Sequence, residues 1–564
     1  MAVARPVERG FAWADVLVGA GVLALAAGVV AWATHGPRYS PESGGIVLSY
    51  ARLPLYALDS WLRMAAAYVL SLGFAVAYAW AAVFVPRAGR ILVPVLDVLQ
   101  SIPILSFLPV VLVGFVALFP HSLWGPNLAS VVLIFTSQAW NLVFALYSGF
   151  ITVPRDLREA ALSLGLSPWQ RLRYLELPAA MVGLVWNSMM SWAGGWFFLM
   201  AAEMFSLGNR DYQLPGLGSF LQTAANRGDW GAEWAGLGVL VAVIVVMDQL
   251  VFRPCLAWAE KFKTEQVPGP PVRSAVLMGL RRSVILARLR THAVQPLAAW
   301  WERRRARRRP RRPLAPGLPG FLRTVAVGAG VLLLARTFSE GVALLLAARG
   351  DLGLVLAATG ATLLRVVASL VLATVWTVPL GVVIGLNRRL AAALTPVIQI
   401  LAAVPATALF PGVVALLLHL HGGLNIAAVL LMALGTQWYV LFNVIAGTTA
   451  IPEDLKEAAR LFGLRGPLAW RTLILPAIFP HLVTGLITAS GGAWNASIVA
   501  EYVSVQGQVH HVFGVGWLIA ASSVDGRFPR LLLATVVLAA TVVAVNRLVW
   551  RPLYRQAANR YAAP

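Results

Sequence analysis

The sequence predicts an all-α polytopic membrane protein of about twelve transmembrane helices, built as two parallel six-helix repeats related by a pseudo-twofold axis along the membrane normal. Three observations carry that prediction. Hydrophobic residues make up 59% of the chain and charged residues only 12%, and the mean hydropathy is +0.76, a balance found in bilayer-embedded proteins rather than large soluble ones. Apolar runs of roughly 20 residues, enough to cross the hydrocarbon core as helices, recur along the whole length. A polar stretch, EAALSLGLSPWQRLRYLELP from Glu159 to Pro178, returns 298 residues later as EAARLFGLRGPLAWRTLILP from Glu457 to Pro476.

In chain order, the first six runs lie near 12–33, 62–85, 91–118, 128–151, 179–205 and 232–252, and the second six near 321–347, 360–385, 393–418, 425–449, 477–503 and 530–550. The first run lacks the usual small-residue cleavage site after it and reads as a retained helix. The halves divide as 1–257 and 316–564, separated by a basic linker over 258–315. That linker holds RRRARRRPRR from Arg303 to Arg312, with Lys261, Lys263, Arg273, Arg281 and Arg282 before it, and accounts for much of the net charge of +22. With six spans on either side, the linker and both termini share one face. Positive-inside bias makes that face cytoplasmic, and Arg87, Arg90, Arg388 and Arg389 fall on the same side. Basic residues beside spans bind anionic lipid headgroups, so the charge points to membrane lipids and not to nucleic acid. Cys255 is the single cysteine, which excludes an intramolecular disulfide and gives no cysteine-based metal site.

The repeat extends far beyond the polar loop. At an offset of 298, Trp140 meets Trp438, Pro154 meets Pro452, Asp156 meets Asp454, Trp196 meets Trp494, Glu203 meets Glu501, Gly216 meets Gly514 and Gly218 meets Gly516. Upstream of residue 120 the offset is 302: Arg63 meets Arg365, Pro103 meets Pro405 and Pro109 meets Pro411. A four-residue length difference in one external loop accounts for the change. In each loop the carboxylates of Asp156 and Glu159, or Asp454 and Glu457, favour the positive end of a helix. Ala160 with Ala161, and Ala458 with Ala459, supply helix propensity and a small surface for close approach. Gly165 and Gly463 stop that helix, and Pro178 and Pro476 open the next span.

On these residues the chain resembles the membrane subunit of bacterial ATP-binding-cassette importers, the permease class with the EAA loop. The SIPILSFLP stretch from Ser101 to Pro109, its counterpart AVPATALFP from Ala403 to Pro411, and YQLPGLGSFL from Tyr212 to Leu221 narrow the resemblance to the nitrate, sulfonate, taurine and bicarbonate branch. The duplication is similar to the fused permease component of anion importers. The resemblance implies inward movement of a small anion by alternating access. It also implies two cytoplasmic ATPase subunits that bind the ATP and Mg, a periplasmic or lipid-anchored substrate-binding protein, and a multi-pass place in the bacterial inner membrane. In that class each loop forms a coupling helix, which assigns ATPase coupling to Asp156, Glu159, Ala160, Ala161 and Gly165, and to Asp454, Glu457, Ala458, Ala459 and Gly463. One departure stands out: Val512 to Trp517 reads VFGVGW where the first half has LPGLGS, so the two external helices are expected to differ.

The solute path has to run past polar and aromatic residues held in apolar spans. A charge in mid-bilayer costs about 2.5–3.5 kcal/mol on insertion scales, so buried carboxylates face a bundle interior or water. Glu203 and Glu501 are candidates for an external gate or for capping the following turn, and Arg63 and Arg365 for attracting an anion or for reaching the interface. Trp140, Trp438, Trp196 and Trp494 are candidates for cavity walls or for packing. There is no glycine-rich phosphate loop ending in Gly-Lys-Ser or Gly-Lys-Thr, so ATP hydrolysis by that route belongs to other chains. His481, His510 and His511 are scattered and suggest no metal site, and no nucleophile triad is indicated. An ion-coupled secondary transporter also fits parallel repeats, but would need matched acids in mid-span. A non-catalytic membrane scaffold would leave the repeated loop without a use.

Overall fold

A computed structural model describes residues 46–100, 103–108, 124–207, 210–262, 274–282, 339–417, 422–505 and 507–560, with isolated positions between these stretches. The expected run 12–33, most of 321–347 and the arginine cluster 303–312 lie outside the described residues. The chain forms two compact units, one of Pro37–Val245 with Ala347–Pro564 and the other of Met1–Gly36 with Val246–Leu346. Both repeats have their helical bundles in the first unit.

In the first repeat, α1 (Leu53–Phe84) is followed by α2 (Pro86–Leu99), a 3-10 turn over Ile104–Phe107, α3 (Trp124–Ile151), the short α4 (Arg155–Ser163) and α5 (Leu177–Glu203). A hairpin of β1 (Met204–Leu207) and β2 (Arg210–Gln213) comes next, pairing Met204 with Gln213, and then α6 (Leu217–Arg227) and α7 (Trp230–Met247). The second unit contains α8 (Arg253–Ala259), where Arg253 Nε donates to Asp248 Oδ2 at 2.9 Å, and α9 (Ala275–Arg282). The second repeat restates the plan. It runs through α10 (Leu352–Leu386), α11 (Arg388–Ala403), α12 (Ala406–Leu417), α13 (Gly423–Thr449), α14 (Glu453–Leu461) and α15 (Leu475–Ala500). The hairpin β3 (Tyr502–Val505) and β4 (Gln508–His511) leads to α16 (Val515–Val524) and α17 (Phe528–Val545).

Among the described residues, seven helices are long and apolar enough to cross a membrane, and an eighth span arises if α11 and α12, bent by 77°, count as one. That bend has a local cause. Val404 before Pro405 is extended, at φ −70° and ψ 119°, as the proline ring demands of its predecessor. In the first repeat Pro103 is itself extended, at φ −60° and ψ 121°, directly before the Ile104–Phe107 turn. Each bundle closes by packing its long helices on one another: α1 on α3 and α3 on α5 in the first, α10 on α13 and α13 on α15 in the second. Leu142, Leu146 and Phe150 are fully buried in the first core, Leu441 in the second. Wide π turns occur at matched places, Leu172–Glu176 and Trp470–Ile474, each leading straight into α5 or α15. Single π turns inside helices mark insertions preserved for a geometric reason.

Candidate functional site

Two pairs of matched sites stand at opposite ends of α5 and α15, which at 27 and 26 residues are about 40 Å long, more than a hydrocarbon core. At the start of each lies the polar loop. Pro154 and Pro452, both at φ −54°, precede α4 and α14, and Asp156 and Asp454 occupy the first turn. The helices end identically: Gly165 and Gly463 take φ +67° and +66°, the left-handed conformation a glycine adopts without a Cβ penalty. The Gly165 N–H donates to Leu162 O, and Leu166 N–H reaches back to Ala161 O at 3.1 Å; Leu464 N–H reaches Ala459 O at 2.9 Å. These are the 5→2 and 6→1 bonds of a Schellman cap.

Ala161 and Ala459 face inward at 5% and 8% exposure, whereas Glu159, Glu457, Asp156, Asp454, Ala160 and the glycines are exposed and Ala458 is half-buried. Apolar side chains stand in the open on these loops: Leu162 and Leu164 on the first, Leu461 and Phe462 on the second. Arg158 Nη2 donates to Phe150 O and holds the first loop to the end of α3. Short amphipathic helices with uncovered leucines, rigidly capped and projecting from a bundle, have the makings of protein contacts.

At the far end of α5 and α15 the sequence candidates Arg63, Glu203, Arg365 and Glu501 come together in two cages. Glu203 is completely buried, and its Oε1 accepts from Arg63 Nη1 at 2.5 Å and from Ser60 Oγ at 2.6 Å, while its Oε2 accepts from the Gly218 N–H at 2.6 Å. Arg63 spends its other donors on Pro215 O at 2.6 Å and Asn127 Oδ1 at 2.8 Å. In the second cage Glu501, also fully buried, accepts from Arg365 Nη1, Thr362 Oγ1 and the Gly516 N–H, all at 2.8 Å. Arg365 then donates to Phe513 O at 2.9 Å and Asn425 Oδ1 at 2.8 Å. Every member has its counterpart, at offset 302 before the external loop and 298 after it.

The external helices expected to differ therefore share one hydrogen-bond plan, despite LPGLGS against VFGVGW. The arginines bond to backbone carbonyls, and the carboxylates to backbone N–H groups, so these bonds do not depend on which side chain stands at Pro215 or Phe513. What the cages do require is glycine. A Cβ on Gly216 or Gly514 would overlap the carboxylate of Glu203 or Glu501. A buried ion pair is stable only when its remaining lone pairs and protons are satisfied, and both cages meet that condition.

The tryptophans sort by partner. Trp140 meets Phe74 edge-on at 5.9 Å, and Trp438 meets Trp376 edge-on at 6.5 Å, a matched contact between α1 and α3 and between α10 and α13. Trp196 and Trp494 are 0% and 1% exposed, one turn pair below the cages, and their indole Nε1 has no acceptor among the described residues. Sequence reasoning missed Ser60, Thr362, Asn127 and Asn425; the repeat of a hydroxyl three residues before each arginine, and of one asparagine in each half, was the available signal.

The repeat architecture, buried charge cages and exposed capped loops define a duplicated membrane transport component. The family model described as "Binding-protein-dependent transport system inner membrane component" matches residues 70–252 and again 377–550, and the chain belongs to that family. It is similar to the bicarbonate transport system permease protein CmpB of Synechococcus elongatus, 29% identical over 191 residues, 34% of this chain and 66% of the relative. It is also similar to the nitrate import permease protein NrtB of the same species, 28% identical over 188 residues, 33% of this chain and 65% of the relative. A third likeness is to the putative aliphatic sulfonates transport permease protein SsuC of Bacillus subtilis, 29% identical over 140 residues, 25% of this chain and 47% of the relative. The chain spans just under two thirds of the length of the first two.

Proposed function

We propose that this chain carries both permease halves of an ATP-driven importer for a small anion of the bicarbonate, nitrate or sulfonate class. The observation that carries the reading is the pair of short helices α4 and α14, alike in cap and in exposed apolar residues. Each docks one cytoplasmic ATPase subunit through Asp156, Glu159, Ala160, Ala161 and Gly165, or Asp454, Glu457, Ala458, Ala459 and Gly463. ATP and Mg bind those subunits. A periplasmic or lipid-anchored binding protein delivers the anion to the external face, and ATPase closure rocks the halves around the path between them. The protein sits in a bacterial inner membrane with termini and basic linker cytoplasmic.

Within this reading Arg63 with Glu203, and Arg365 with Glu501, frame the external end of the path by holding each hairpin to its bundle. Trp140 and Trp438, each packed edge-on within its own bundle, and the buried Trp196 and Trp494 stiffen the helices beside the path. An ion-coupled carrier needs a carboxylate that can release its partner in mid-span; the matched carboxylates here are each held by an arginine, a hydroxyl and a backbone amide.

The test is purification of the tagged chain in mild detergent with mass spectrometry of bound partners, followed by transport and ATPase assays. Two ATPase copies per chain are expected. Glu159→Lys or Glu457→Lys should abolish solute-stimulated ATP hydrolysis while leaving membrane insertion intact. A chain that purifies alone and takes up solute on an ion gradient would overturn the reading.

A further inference from the structure

The loops that carry α4 and α14 end their helices alike but are fastened to their bundles unequally. Between α4 and α5 the chain turns at Ser167 and Pro168, and a reciprocal pair of bonds locks it there. Ser167 Oγ accepts from the Gln170 N–H at 3.3 Å, and the Ser167 N–H donates to Gln170 Oε1 at 2.8 Å, which is a capping box. Pro168 opens the turn Pro168–Arg171 with its φ fixed by the ring. Two side chains add ties to other helices. Arg158 Nη2 donates to Phe150 O near the end of α3, and the Arg171 guanidinium lies 5.9 Å from the centre of the Phe84 ring at the end of α1. The Phe84 and Phe150 rings themselves meet at 6.1 Å. The first loop is thus held to α1, to α3 and to itself.

Among the described residues the second loop has none of these ties. At offset 298 Arg465 stands for Ser167, Gly466 for Pro168, Leu468 for Gln170 and Ala469 for Arg171, and at offset 302 Leu386 stands for Phe84. Arg465 makes no side-chain cap bond. Lys456, the mate of Arg158, pairs with Glu453 Oε2 at 3.3 Å within α14 and not with the neighbouring helix. Gly466 takes φ +53°, close behind the left-handed Gly463. The chain from α14 to α15 therefore turns on two glycines, the residue with the freest backbone, where the chain from α4 to α5 turns on one glycine and a proline, the residue with the stiffest.

We propose that the two loops transmit motion unequally: Arg158, Ser167, Gln170 and Arg171 are positioning residues that make α4 and α5 one rigid arm, whereas α14 and α15 articulate at Gly466. This rests on the importer reading above. Movement of an ATPase against α4 reaches α5, and through it the cage at Glu203, because rigid elements carry displacement between distant sites. The same movement against α14 is taken up in part by the backbone angles of Gly466, as hinge residues absorb it in other moving proteins. Nucleotide then drives the first repeat directly, and the second repeat follows.

The experiment uses the full complex with its ATPases in proteoliposomes, in a Cys255→Ser background. Spin labels go on Leu157→Cys with Trp186→Cys in the first repeat, or on their mates Leu455→Cys with Thr484→Cys in the second, all of them exposed positions. Label-to-label distances are read by pulsed electron resonance, without nucleotide and after vanadate trapping with ATP. The first pair should keep one distance in both states, and the second should shift. A shift in both pairs, in neither, or in the first alone would overturn the proposal. Opening the capping box with Ser167→Ala and Gln170→Ala should make the first distance state-dependent. It should also lower uptake of nitrate, bicarbonate or taurine, whichever the wild type carries, by about fivefold or more per ATP hydrolysed. Ser167→Thr with Gln170→Glu keeps the box and should behave as wild type in both readouts. Arg465→Ala with Leu468→Ala, the matched changes in the second loop, should leave both unaltered. No effect of opening the box, or equal losses from the matched changes, would likewise overturn it. Absence of any bound ATPase would instead be a failure of the importer reading and is seen before labelling begins.

Discussion

At the scale of single residues, the cages show how a fully buried charge is kept in an apolar bundle. Glu203 has an arginine, a hydroxyl and a backbone amide on its carboxylate, and removing one partner of such a pair costs about 3–5 kcal/mol because the other charge is stranded. The fit depends equally on what is missing. Gly216→Ala and Gly514→Ala insert a methyl into the carboxylate's place, and each should destabilise the protein by about 1–3 kcal/mol or more through overpacking. Thermal unfolding in detergent checks this, and an unshifted melting temperature for Gly216→Ala would show that the cage can relax. The arginines and glutamates were legible in the sequence as matched charges in apolar spans, but their pairing was not. Arg63 and Glu203 lie 140 residues apart, and repeat comparison aligns each with its counterpart in the other half, never with its partner.

Elements repeat more faithfully than sequences do. Helices α4 and α14 have EAALSLG against EAARLFG and yet share N-cap angles, end-cap hydrogen bonds and inward alanine. The α4 and α14 boundaries were legible because carboxylates, alanines and glycine are each local helix signals. The π turns before α5 and α15 were not predicted, although each ends two residues before a proline, Pro178 or Pro476, whose ring displaces the i−4 carbonyl and offers it no N–H. The left-handed glycine makes a prediction at this scale. Gly165→Val or Gly463→Val forces a β-branched residue to φ near +67°, a region that disfavours any side chain and a branched one most. Each should loosen the cap and reduce solute-stimulated ATP hydrolysis several-fold in reconstituted protein, with expression and insertion unchanged. Wild-type coupling in both variants would separate cap geometry from ATPase contact.

For the molecule as a whole, the offsets 298 and 302 made the two-repeat plan readable before any coordinates, because a duplicated bundle must bury the same faces twice. The join between repeats was unreadable for the opposite reason: Asn495 has Phe197 as its mate, so a search for matching residues discards it. If each repeat is a self-sufficient bundle, cutting the linker should leave the assembly standing. Co-expressed fragments 1–300 and 316–564, with only one tagged, are expected to purify together in equal amounts, and recovery of the tagged fragment alone would show that the linker holds them. Covalent fusion has a further consequence. In a homodimer one gene writes both faces, so an asparagine gained on one side appears on the other as well. Joining two copies in one chain lifts that constraint. Asn495, which accepts from the Ile104 N–H, stands where the first half has Phe197: one chain can write the two positions separately, as a homodimer's single gene cannot.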